Sequence, residues 1–125
     1  MIQKEHIETE YVCEYCGTSA YNRETMAEHE KRCLHNPEVQ RFVKDAIGQW
    51  FRHTNGNVIY IMEYDEEYYN LAGYDMHDSS GSCLPFISTR SWAIETVREY
   101  CTKLSPSEGR AYFEKVMADL WTVVQ

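Results

Sequence analysis

An α+β fold is what this sequence predicts, and three observations carry the expectation. Apolar residues recur at helical spacing up to Ile47, alternate like strands from Gln49, and return to helical spacing after Arg90. An Asn55-Gly56 pair separates two strand-like runs, which is the strongest short hairpin signal a sequence offers. Near the amino end, Cys13, Cys16, His29 and Cys33 stand at the spacing of a small metal-binding ββα unit. The expected architecture is that unit, residues 1–36, packed tightly on an α+β body, residues 37–125, with a small antiparallel sheet of three or four strands and three helices on one of its faces.

Each element has a local reason. Residues 11–17 read as a short hairpin carrying two cysteines, with Gly17 able to take the turn conformation a side chain resists. Residues 22–34 read as a helix, because Met26, His29 and Cys33 fall on one face. Asn36 and Pro37 then suit the cap and first position of a second helix, whose stripe is Val39, Phe42, Val43, Ala46 and Ile47 and which Gly48 ends. The runs either side of Asn55-Gly56 are two strands, and EEYYNLAGYDM is a third. SCLPFIS is expected as a short edge strand, since Pro85 cannot donate to a ladder. RSWAIETVREYCTKL reads as a helix with Ile94, Val97, Cys101 and Leu104 on one face. The last helix opens on Ser105, Pro106 and Glu108, a capping-box arrangement, and its stripe runs through Phe113, Val116, Met117, Leu120, Trp121 and Val124. Trp50, Phe113 and Trp121 are expected in the core.

The 125 residues contain no run approaching the ~18 apolar residues of a membrane span, and no amino-terminal pattern of a secretory signal. A cytoplasmic protein is the expectation. Five cysteines, three of them grouped with a histidine, point in a reducing compartment to metal before disulfide; Cys83 and Cys101 are expected as reduced thiols. The net charge of −8 is uneven. Residues 53–89 contain no Lys or Arg, but hold Glu63, Asp65, Glu66, Glu67, Asp75 and Asp78. A local field of that kind selects partners.

Zn²⁺ in structural sites takes four N or S ligands in a tetrahedron. Two cysteines two residues apart deliver two thiolates from one turn, and a helix delivers two more ligands one turn apart. Cys13-x2-Cys16-x12-His29-x3-Cys33 does both, with His35 as the other candidate for the fourth position. The stretch 11–33 resembles the two-Cys/two-His zinc-finger family, in its variant with a terminal Cys. Tyr11 stands where the family has an aromatic residue before the first Cys, and Met26 where it has an apolar residue three before the His. The pattern departs at Ala20, where the family has a large aromatic; Tyr21 is one place late. A finger short of core must lean on a neighbour, and the helix starting at Pro37 is the nearest.

Three functions compete for such a site. The family's base-reading positions correspond here to Asn22, Glu24, Thr25 and Glu28, none of them cationic, and residues 1–36 are net −3. Phosphate contacts need cations, so direct nucleic-acid binding is disfavoured. Catalytic zinc keeps an open position, whereas four ligands at structural spacing close it; the deaminase signature is also absent. A Cys83 nucleophile with His77 as base and Asp75 or Asp78 as orienter has the right residue types, but the pair stands six positions apart in a stretch of ordinary loop composition. Asp75, Asp78 and Ser80 lack the spacing of a Ca²⁺ loop. The metal is therefore expected to hold the chain together, and the protein is expected not to be an enzyme.

Recognition then falls to EYDEEYYNLAGYD, where acids alternate with tyrosines that give rigid contact area at low entropic cost. The expected contacts are Glu63, Asp65, Glu66, Glu67 and Tyr69, and the expected partner is a basic protein or nucleoprotein rather than bare nucleic acid. In size, charge and zinc the chain resembles phage-encoded anti-CRISPR proteins. That resemblance implies an inhibitor that occupies an RNA-guided nuclease and prevents DNA loading. The alternative is a zinc-finger regulator that binds nucleic acid directly.

Overall fold

The computed structural model describes residues 2–4, 9–80 and 84–124. Two antiparallel sheets and four helices make up an α+β structure. The smaller sheet holds β1 (Ile2–Lys4), β2 (Glu10–Val12) and β3 (Ser19–Ala20) in that order, followed by α1 (Arg23–Arg32). Next come α2 (Pro37–Ala46), β4 (Trp50–His53), β5 (Val58–Asp65), β6 (Asn70–His77), β7 (Phe86–Ala93), α3 (Ile94–Tyr100), β8 (Cys101–Leu104) and α4 (Pro106–Val124). The larger sheet has five strands in the order β7-β6-β5-β4-β8, where the sequence predicts three or four.

Local signals act where they are read. Asn36 caps α2 by accepting from the Glu38 N–H, with Pro37 next in line. At the start of α4, Ser105 and Glu108 exchange hydrogen bonds: Glu108 Oε1 accepts from the Ser105 N–H, and Ser105 Oγ accepts from the Glu108 N–H.

The fifth strand comes from a segment with a helical period. Cys101–Leu104 pairs antiparallel with β4, setting His53 opposite Cys101 and Trp50 opposite Leu104. The open edge of β4 gains a ladder of backbone hydrogen bonds that one more helical turn could not supply, so tertiary pairing overrides the local pattern. Upstream, Arg90–Ala93 extends β7 to eight residues, and α3 is correspondingly short. Strand β7 does lie at an edge, but Pro85 precedes it instead of shortening it.

The helices lie on both faces of the large sheet, not on one. Val39, Val43 and Ala46 of α2 and Ile94 and Val97 of α3 pack with Phe51, Ile59, Ile61, Leu71 and Trp92. On the opposite face, Val116 of α4 packs with Val58 and Met76, flanked by Trp50, Ile87, Leu104, Tyr112 and Leu120. Consecutive strand residues serve opposite layers, so Val58 belongs to one core and Ile59 to the other. Gly109 lets α4 approach this closely, since a Cβ there would collide with the Trp50 ring. The stripe predicted for α4 is wider than the strip the sheet covers. Val116 is buried, but Phe113, Met117 and Trp121 are exposed, Trp121 by 65%. Trp50 is half-buried, so only part of the aromatic core expectation holds. Among the described residues, no helix is long and apolar enough to cross a membrane.

Candidate metal centre

The first two cysteines sit in a tight turn between β2 and β3. The Cys13 carbonyl accepts from the Gly17 N–H at 3.0 Å, and the Cys13 N–H donates to the Thr18 carbonyl at 2.8 Å. Gly17 has φ +80°, a conformation that side chains resist, so this turn needs its glycine. The Tyr15 N–H lies 3.4 Å from Cys13 Sγ, and Thr18 Oγ1 lies 3.2 Å from Cys16 Sγ. Both contacts suit sulfurs carrying negative charge.

Helix α1 delivers the other two donors. Asn22 caps it by accepting from the Thr25 N–H at 3.1 Å, and Met26 is buried beneath it. His29 is one turn before the helix end, and Cys33 is the C-cap residue. The donor atoms of Cys13, Cys16, His29 and Cys33 all lie within 4.8 Å of one another, with Cys16 Sγ 3.2 Å from His29 Nε2. A tetrahedron with bonds of about 2.3 Å to sulfur has edges of roughly 3.8 Å, so these four could hold a metal ion. His35 is exposed and is not in this group; Cys33 fills the position for which both were candidates.

The thiols have different settings. Burial pushes Cys16 up, but hydrogen bonds from the Thr18 hydroxyl and backbone, His29 and Cys13 outweigh it and bring the thiol down to about 6. Burial pushes Cys33 up to about 11, with the His35 backbone only partly offsetting it. A bound cation would favour the thiolate at every position.

Tyrosines from the β5–β6 hairpin support the cluster. The Tyr64 hydroxyl donates to the Arg32 carbonyl at 2.7 Å, satisfying one of the orphan acceptors at the end of α1. Tyr69 meets His29 edge to face, with ring centroids 4.9 Å apart and planes at 84°. Arg32 also reaches Glu95 of α3 at 3.3 Å, and the Asn36 amide donates to the Glu30 carbonyl at 3.0 Å. Support therefore comes from α3 and the β5–β6 hairpin as well as from the start of α2. No motif announces the part Tyr64 plays; only the hairpin register brings it here.

The acids of the Lys- and Arg-free span separate into two groups. Asp75 and Asp78 are buried, at 3% and 5% exposure. Asp75 accepts from the Asn57 amide at 3.0 Å and pairs with Arg90 at 3.3 Å. Lys115 lies 2.6 Å from Asp78; its hydrogen bond, with that of Ser80, holds the Asp78 carboxyl well below the usual carboxylate range. Glu63, Glu66 and Glu67 are exposed on the hairpin. Asp65 is half-buried and accepts from the backbone of Glu67 and Tyr68, shaping the turn. Tyr69 is turned toward the candidate metal cluster.

Of the nucleophile reading, His77 is half-buried with Nδ1 against the Asp78 carbonyl, and Cys83 lies outside the described residues. Of the candidate base-reading positions, Asn22 caps α1 and Glu28 pairs with Arg32 at 3.4 Å. No family model, no curated protein and no solved structure matches this chain.

Proposed function

We propose that this protein is a non-enzymatic, zinc-stabilised interaction module of the zinc-finger type. Its acidic β5–β6 hairpin docks onto a basic protein that handles nucleic acid. In that role it is an inhibitor: the hairpin carboxylates occupy cationic surface that DNA phosphates would otherwise use, and the rest of the chain blocks the approach. An RNA-guided nuclease is the partner class to which the anti-CRISPR resemblance points.

One observation carries this reading. Of the six acids in the span without Lys or Arg, the two that the fold buries have cationic neighbours, Arg90 and Lys115, while Glu63, Asp65, Glu66 and Glu67 gather on one hairpin. Outward acids concentrate negative potential, which steers a basic partner and repels phosphate. The zinc assignment rests on the donor set. Three sulfurs and an imidazole suit that ion, and four protein ligands leave no open position for chemistry.

The test is competition. Added to a guide-loaded, RNA-guided nuclease, the metal-loaded protein should displace target DNA at low salt and lose potency as salt rises. The triple variant Glu63→Lys, Glu66→Lys, Glu67→Lys should lose at least about tenfold in potency, because three attractive charges become repulsive. Retardation of a bare oligonucleotide by the purified chain would overturn the proposal in favour of direct nucleic-acid binding.

A further inference from the structure

A cavity of about 340 Å³ opens beside the metal cluster, between the Cys16 turn, the end of α1 and the β5–β6 hairpin. Tyr64 and Tyr69 give it two aromatic walls, Glu66 a carboxylate, and Cys16 and Cys33 their sulfurs, with His35 also lining it. None of its lining residues is Lys or Arg. The walls are held in place independently of any ligand. Tyr64 is anchored through its hydroxyl to the Arg32 carbonyl, and Tyr69 is fixed by its edge-to-face contact with His29. The backbone at Tyr69, φ +55°, is one a bulky residue rarely adopts, and it follows a turn closed by the Glu67 N–H donating to Asp65.

We infer that this cavity receives one arginine side chain of the partner. The inference rests on the acidic docking reading and specifies which basic group is bound, and where. Aromatic faces attract cations through their quadrupole, and a carboxylate lining the same cavity adds a full charge. A divalent ion held by three thiolates and an imidazole would add one net negative charge beside the cavity, which Cys16 and Cys33 line. Guanidinium fits these walls better than ammonium. It is planar and stacks on tyrosine, presents paired N–H donors to one carboxylate, and is more weakly hydrated than the lysine head group. Preformed walls mean that little freedom is lost when the side chain enters.

Calorimetric titration of the metal-loaded full chain with hexa-arginine and hexa-lysine tests this. Hexa-arginine should bind at least about tenfold more tightly, the scale of one charge-assisted, bidentate contact. Glu66→Gln should abolish that preference, whereas Glu63→Gln, on the same hairpin outside the cavity, should keep it. Tyr69→Leu should act like Glu66→Gln. Because Tyr69 touches His29, its metal content is measured in parallel, and Glu66→Gln, at an exposed position, decides the case if the Tyr69 variant loses metal. Equal affinity for the two peptides, or equal effects of the Glu63 and Glu66 variants, would overturn the arginine cavity while leaving acidic docking in place. Failure of both peptides to bind would overturn both.

Discussion

The amino-terminal unit and the α+β body differ most in what their cores are made of. Among the described residues of the first, the buried ones are Cys13, Met26 and Cys33, two of them candidate metal donors, with Tyr11 and Ala20 packed alongside. In the second, ten buried residues form one core and a separate cluster around Val116 lies across the sheet. A unit of this size buries too little apolar surface to offset the entropy of ordering its chain, so units below about 40 residues usually depend on a metal, disulfides or association. The body meets the same requirement through packing. The difference teaches that the two regions should fail for different reasons, although Tyr64, Arg32 and Asn36 tie them together.

The sharpest way to break the comparison is to remove the metal. Chelation, or Cys33→Ser, should unfold residues 10–33 while the five-stranded sheet persists, since zinc contributes about 10–16 kcal/mol to units of this kind. Amide dispersion and hydrogen exchange resolved by residue would show it, and an unchanged pattern after metal removal would defeat the structural assignment. The converse experiment is Ile59→Ala, at a fully buried position of the body. It should cost about 2–5 kcal/mol in denaturant unfolding and leave metal stoichiometry in the native protein unchanged.

A smaller effect separates the regions by pH. The Asp78 carboxyl is held low in the folded body by Lys115 and Ser80. Its contribution to stability is therefore fully present above the unfolded value of about 3.9 and is lost as pH falls from there toward the depressed folded value. Asp78→Asn should flatten the acid limb of body stability, measured by denaturant midpoint between pH 5 and the lowest pH at which unfolding stays reversible. The neutral-to-acid loss of metal from the amino-terminal unit, which follows protonation of its ligands, should be the same in the variant.

What was legible in the sequence was whatever a few adjacent residues decide. Asn36-Pro37 begins a helix, Asn55-Gly56 separates two strands, and Ser105 with Glu108 caps α4, because each pattern satisfies backbone groups within a turn of itself. The candidate metal donors were legible for the same reason. A turn and one face of a helix fix their spacing locally, and the remaining distance is closed by the β2–β3 pairing. The acidity of the hairpin could be read as composition, but its division could not. Asp75 and Asp78 find Arg90 and Lys115 only once β7 and α4 are in place.

By itself, then, the sequence determined most of the element types, the four candidate donors and the segment bearing the exposed acids. The tertiary structure decided three further things. It turned Cys101–Leu104 into a strand because β4 had an edge to satisfy, and it placed α4 on the face opposite α2 and α3 because strand residues alternate between two cores. It also set Tyr64 and Tyr69 against the metal cluster, since the register of β5 with β6 carries the hairpin there. Contacts within a turn follow from chain geometry, whereas contacts between distant segments depend on which surfaces remain unsatisfied after the local elements have formed.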